Sequence, residues 1–190
     1  MKYYRLMDEL NKPKDRWFLK SLNTVDENKI SIWKFLSPAR VKLPETEKLK
    51  ISVREDGKPL DFTFADFEVL VVNEKVAFFL SEEECQLIPV EVGGTRNKHS
   101  YFIAVLLNSV DCLDEDRSIF EKWSSNDPIR PDLAGEYKGI YKLFVDPDKI
   151  MPSNTIFRLG KSDNIIIINE KLKRQFESNG ITGVKFKEIT

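Results

Sequence analysis

Four carboxylates crowd the segment Asp111, Asp114, Glu115 and Asp116, with Arg117 directly behind them. Oxygen ligands of this kind suit a hard divalent cation, and Asp114 and Asp116 would share one face of a strand. The segment has no glycine at a sharp turn and no twelfth-position glutamate, so it is not a calcium loop of the EF-hand type. A solvated, ion-paired face and a partner-binding surface are the other readings of the same residues. His99 is the only histidine, and no serine or cysteine nucleophile pattern surrounds it, so a base there has nothing evident to activate. Cys85 and Cys112 are the only cysteines; they show no metal-ligand spacing and read as reduced thiols rather than a disulfide. Neither a phosphate-binding Walker loop nor a dinucleotide glycine fingerprint is present. Nothing here amounts to a catalytic constellation or a cofactor site.

Other side chains have two readings each. Arg96 and Lys98 make the loop GGTRNKHS basic, as either a solvated turn or a docking element. Arg158 lies between Phe157 and Leu159. It faces outward if those two face in, or it is buried and fixes loop geometry by pairing with one of the aspartates. Phe62, Phe64 and Phe67 interleave like base-stacking residues, but few Lys or Arg flank them, so they read as core.

The elements that must position these groups follow from periodicity and end signals. The stretch VVNEKVAFFLSEEECQLIPVEV (Val71–Val92) reads as strand, helix, strand. Asn73 is placed to accept from the free amides of the helix start, Glu74 suits the helix dipole, and Val76, Phe79 and Leu80 form an apolar stripe. Cys85 falls in the polar end of that helix. The same grammar returns at Ile167–Ile189, with Asn169 as the cap and Gly180 as the left-handed residue that ends the helix, backed by Ile181. The pair predicts one sheet with two similar covering helices. QLIPVEV and YFIAVLL predict a hairpin, with Pro89 demanding an edge or a bulge. Further strands are expected at Lys2–Met7, Ile30–Leu36, Leu49–Arg54, Leu60–Phe67, Tyr137–Val145, Thr155–Leu159 and Ile165–Ile168. The fold class is therefore α+β, a mostly antiparallel twisted sheet with a few covering helices. The chain is expected to be a single domain over 1–190, with 1–45 as an N-terminal layer or appendage and 46–190 as the main body.

Bulk properties narrow the partners. Of 190 residues, 41% are hydrophobic and 32% charged, so the chain can build a core, which excludes a disordered polymer. A net charge of −1 supplies no field to attract nucleic acid or an anionic membrane. The opening MKYYRLMDELNK has no apolar secretion core, and the longest apolar runs are too short to span a bilayer. The expected address is the cytoplasm.

One ordered set of motifs carries more. QLIPVEV at Gln86–Val92, VDCLDEDRS at Val110–Ser118, TIFRL at Thr155–Leu159, IIIINEKLK at Ile165–Lys173 and TGVKF at Thr182–Phe186 together resemble the immunity-protein family eleven of bacterial polymorphic toxin systems. The resemblance runs over roughly residues 60–190, and MKYYRL is similar to how such proteins begin. It implies a non-enzymatic cytoplasmic protein, without cofactor, that binds and neutralises a cognate toxin domain, with the toxin encoded nearby. It supplies no list of site residues. A basic toxin would be met by Asp111, Asp114, Glu115 and Asp116, with Trp123 or Tyr137 as aromatic anchors. An acidic toxin would be met by Arg96 and Lys98. An interaction or regulatory module of a secretion or defence locus, and a metal-dependent enzyme using the acidic segment, are the alternatives.

Overall fold

Apolar runs without alternation, such as Val69–Val72 and Ile165–Ile168, demand strands buried on both faces. The computed structural model, which describes residues 1–26, 28, 30–66, 68–93, 99–162 and 164–190, meets that demand with two main sheets and three apolar layers. In chain order the strands begin with β1 (Tyr3–Asp8), β2 (Phe18–Thr24), β3 (Leu49–Glu55), β4 (Phe62–Ala65) and β5 (Val69–Asn73). Next come β6 (Cys85–Val92), β7 (Tyr101–Leu106), β8 (Ser109–Val110) and β9 (Ile119–Lys122). The last are β10 (Tyr137–Lys142), β11 (Ile156–Leu159), β12 (Ile166–Asn169) and β13 (Val184–Glu188). The α-helices among the described residues are α1 (Trp33–Leu36), α2 (Glu74–Ala77) and α3 (Glu170–Ser178).

One sheet has the order β2-β3-β6-β7-β5-β4 and the other β13-β1-β12-β11-β8, while β9 and β10 form a separate ribbon. Pairing is antiparallel except for β3 with β6 and β8 with β11. The class is α+β with mainly sheet, as the sequence predicts. The second residue of the chain is already committed to long-range structure, since Lys2 accepts from the Glu170 amide and β1 lies between β12 and β13.

Alternation along the strands sorts side chains into layers. Val69, Val71, Ile103 and Val105 face one core, closed by Trp17 and by Phe35 of α1. Leu70, Val72, Ala104 and Leu106 face the other way and meet Tyr4, Leu6, Ile166 and Ile168 of the second sheet. The second sheet's far side presents Tyr3, Phe157, Leu159 and Ile167 to a third core, roofed by Leu143, Val145 and the inner side of the β9–β10 ribbon. Each fully buried aliphatic or aromatic side chain contributes about 1.5–3 kcal/mol.

Polar side chains join the two sheets where their edges approach. Arg16, ahead of β2, is buried and grips Asp8 at the end of β1 through two bonds of 2.7 and 3.1 Å while donating to Thr63 of β4. Burial pushes the Asp8 carboxyl up, and the Arg16 guanidinium only partly offsets it. Asp61 accepts from the Thr182 amide and hydroxyl, each at 2.8 Å, and from the Asn73 side chain at 2.8 Å. Thr182 then leads through Gly183 into β13. Gly183 has φ +87°, and a Cβ there would sit 2.0 Å from the Phe62 carbonyl oxygen, so no side chain fits.

Several expectations need correction. Ile30–Leu36 is not a strand. Ile32, Phe35 and Leu36 fall at i, i+3, i+4, so one helical turn buries all three partly or wholly while Trp33 points outward, and Pro38 forbids continuation. The helix after Asn73 is one turn long. Asn73 caps it as expected, accepting from the amides of Lys75 and Val76. The chain then tightens, with Phe79 and Leu80 donating to carbonyls only three residues back. Val76 is buried, whereas Phe79 and Leu80 are half-buried against the central core. Cys85 is not in a helix end but opens β6, fully covered. The expected strand Tyr137–Val145 stops at Lys142, and Val145 makes only an isolated bridge to Leu113.

The two Asn-capped units do not share a sheet. β5–α2–β6 belongs to the six-stranded sheet and β12–α3–β13 to the five-stranded one, yet Val76, Leu172 and Phe176 enter the same inter-sheet core. The Phe79 and Phe176 rings lie 6.0 Å apart. Pro89 stands where only β7 flanks β6, because β3 pairs with it from Val90 onward. On the open side, Gln86 substitutes for a strand by exchanging two side-chain bonds with the Val41 backbone.

Candidate interaction surface

The acidic segment is a bend, not a strand, so Asp114 and Asp116 do not share a strand face. Asp114 turns the chain. Its carboxylate accepts from the Arg117 amide at 3.1 Å, its carbonyl accepts from Ser118, and its own amide donates to the Phe144 carbonyl. The Ser118 hydroxyl completes the bend by donating to the Phe144 carbonyl and accepting from the Phe144 amide. Arg117 lies over the Phe144 ring at 4.4 Å and 3.7 Å from Asp114.

The remaining carboxylates are drawn apart. Asp111 pairs with Lys161 at 2.5 Å, and that bond raises the Lys161 ammonium above its usual range. Glu115 accepts from Lys122 at 2.7 Å and from the Tyr137 hydroxyl at 2.8 Å. Those bonds, the Lys122 one foremost, hold its carboxyl below the ordinary glutamate range. Burial, and then the Glu115 acceptor, push the Tyr137 phenol up. Asp116 is exposed and makes no ion pair among the described residues. Among the described residues, no group of three or more His, Cys, Asp or Glu is arranged to hold a metal ion. The carboxylates that are neighbours in sequence are thus taken up by three separate cations, Lys161 and Lys122 from other segments and Arg117 from the bend itself.

Trp123 follows β9 and is tied across the ribbon, its amide donating to the Glu136 carbonyl and its carbonyl accepting from Gly135. Its ring carries the Lys138 ammonium at 4.8 Å. Beside it opens a groove of about 420 Å³ bordered by Trp33, Glu68, Trp123, Asp132, Glu136 and Lys161. On the ribbon itself Ile119 and Tyr141 are 58% and 66% exposed. The structure therefore brings Asp111, Glu115, Trp123 and Tyr137 to one side of the molecule, with Asp114 and Asp116 on the adjoining bend. Sequence reasoning missed Trp33, Glu68, Glu136 and Lys161, which come from four distant segments and carry no local signal of their convergence.

Other candidates fall elsewhere. Arg158 is 2% exposed in a wholly buried β11, so it does not face outward. Its charge acts on the buried Cys85 thiol. His99 is at the surface, with Nδ1 2.7 Å from Glu74 Oε1. Cys85 and Cys112 are free thiols in different cores. Arg96 and Lys98 lie outside the described residues.

No helix among the described residues is long and apolar enough to cross a membrane. Comparison with individually curated proteins gives no match. The model of the Immunity protein family (Imm11) matches residues 42–190. That span holds every strand from β3 to β13, the acidic bend, the ribbon and the ordered motifs from QLIPVEV to TGVKF; MKYYRL, β1, β2 and α1 precede it. The chain belongs to the Immunity protein family (Imm11).

Proposed function

We propose that this protein neutralises a cognate toxin domain in the cytoplasm by binding it and masking its active or substrate site. The toxin is encoded by an adjacent gene of a polymorphic system used in contact-dependent competition. The protein acts by occupancy, without catalysis or cofactor. Family membership supports the immunity role. The observation that carries the surface assignment is the β9–β10 side, where Ile119 and Tyr141 stand exposed on a ribbon that leads into Trp123 and is fixed by the Glu115–Lys122–Tyr137 bonds. Aromatic and aliphatic side chains held rigidly in a polar surround are what protein interfaces use as anchors.

The pairing of Asp111, Asp114 and Glu115 with Lys161, Arg117 and Lys122 changes the electrostatic expectation. Paired carboxylates add little long-range attraction, so this bend acts as a rigid frame and the ribbon supplies the contact. The experiment is co-purification of the tagged chain with the product of the neighbouring gene, repeated with Ile119→Asp and Tyr141→Ala together. The account expects a complex with the parent protein and a clear loss with the double variant. Failure of the parent protein to retain the neighbour, or a partner that is harmless when expressed alone, would reject toxin neutralisation.

A further inference from the structure

We infer that the groove between α1 and the β9–β10 ribbon receives a basic side chain, an arginine or lysine, from the protein partner. This rests on the reading that the chain acts by binding a protein. The groove combines two partly solvent-accessible tryptophans, Trp33 at 63% exposure and Trp123 half-buried, with an unbalanced set of charges. Of the border carboxylates Glu68, Asp132 and Glu136, Asp132 is paired with Arg130 at 2.9 Å, and the Lys161 ammonium is paired with Asp111, so Glu68 and Glu136 supply the surplus negative charge. An aromatic wall with surplus negative charge suits a cation, because the π-face and the carboxylates attract it together. The Trp123 ring already accepts the Lys138 ammonium at 4.8 Å, an example of the same interaction within the chain. Guanidinium is the better fit of the two, since its flat, weakly hydrated head both stacks on indole and bonds carboxylates.

The groove also joins two parts of the chain. Trp123, Asp132, Glu136 and Lys161 lie in the family-matched span, whereas Trp33 belongs to α1, ahead of it. Phe35 and Leu36 anchor that helical turn in the core, so Trp33 is held at the rim. The N-terminal segment thereby supplies one wall of the pocket and helps to select the partner.

The test is an NMR titration of the full chain with the probe acetyl-Gly-Arg-Gly-amide, against the neutral citrulline peptide of the same shape. Three indole N–H signals report separately, because Trp17 is fully buried and serves as the internal reference. The Trp33 and Trp123 signals should move saturably with the arginine peptide, and the Trp17 signal should stay still. The citrulline peptide should bind more weakly by about 2- to 5-fold, and Glu136→Gln and Trp33→Ala should each weaken the arginine peptide by a similar factor. An unmoved Trp17 signal shows that each variant keeps its fold. Equal response to both peptides, or absence of any saturable shift at Trp33 and Trp123, would overturn the assignment. If the toxin binds the parent, Trp33→Ala and Glu136→Gln chains equally, the groove assignment fails while neutralisation stands. If no toxin binds but the arginine peptide does, neutralisation fails and the groove remains.

Discussion

Glu84 and Thr155 fasten the two sheets to each other. The Glu84 carboxylate, next to the start of β6, accepts from both the amide and the hydroxyl of Thr155 at 2.5 Å, and from the Ile156 amide at 3.3 Å, where β11 begins. Glu84 is 7% exposed, so these bonds form away from water. A carboxylate removed from such a site leaves buried donors without an acceptor, which costs more than the bond itself contributes. Glu84→Ala should lower unfolding free energy by about 3 kcal/mol, measured as a shift of the urea midpoint at unchanged slope. Thr155→Val removes only the hydroxyl and should cost about 1 kcal/mol. Near-equal effects of the two variants would show that the carboxylate does not join the sheets.

The Asp61 cluster predicts a pH dependence of definite sign. Burial pushes this carboxyl up, but the bonds from the Thr182 amide and hydroxyl and from Asn73 outweigh it, and the net shift is downward. A carboxyl depressed on folding stabilises the protein above its unfolded-state value, and that contribution is lost as pH falls through the folded value. The parent protein should therefore exceed Asp61→Asn in stability by about 1–3 kcal/mol near neutrality. The gap should narrow below about pH 4. Asp8 behaves oppositely, since burial raises it, and its ionisation penalises folding at neutral pH and is relieved on acidification. Urea titrations of both Asp→Asn variants across that range check the two signs together.

Two nearby glycines should respond differently to alanine. Gly180 has φ +59° with open space around its Cβ position, whereas Gly183 has φ +87° and faces the Phe62 carbonyl at 2.0 Å. Gly180→Ala should cost about 1 kcal/mol, the ordinary left-handed penalty. Gly183→Ala adds a backbone clash at the junction of the two sheets and should cost at least about 3 kcal/mol. Thermal unfolding of the two variants side by side gives the comparison, and similar losses would contradict the close approach.

The thiols should be inert in the folded protein. Burial first of all pushes both Cys85 and Cys112 up to about 12, so the reactive thiolate is scarce at pH 8. A thiol-reactive dye should leave the native chain unlabelled and modify both cysteines in urea. Fast labelling of either one under native conditions would show that its core opens.

Local grammar was legible in the sequence. Asn73 and Asn169 cap helices because a short side-chain oxygen two or three residues from free amides acts within one turn. Gly180 ends α3 with the amides of Gly180 and Ile181 turned back to Glu177 and Phe176 for a similar reason. What sequence could not convey was which strands meet. β1 inserts between β12 and β13 across nearly the whole chain, and nothing in Tyr3–Asp8 encodes those partners. Ile30–Leu36 misled because an apolar cluster this short fits a strand or a single helical turn equally. The carboxylates misled in another way. Arg117 stands beside Asp114 in the sequence, but nothing local shows that Lys122 takes Glu115 or that Lys161, fifty residues away, takes Asp111. The groove of Trp33, Trp123 and Glu136 is assembled from separate segments and has no motif at all.

The central claim is that this chain protects by binding. The direct measurement is survival of cells expressing the toxin domain of the adjacent gene, with the parent chain, with the Ile119→Asp, Tyr141→Ala variant, or with no immunity gene. The account predicts full survival with the parent chain, killing without it, and killing with a variant that is folded but no longer binds. Survival without the chain, or killing despite its presence at matched expression, would contradict it.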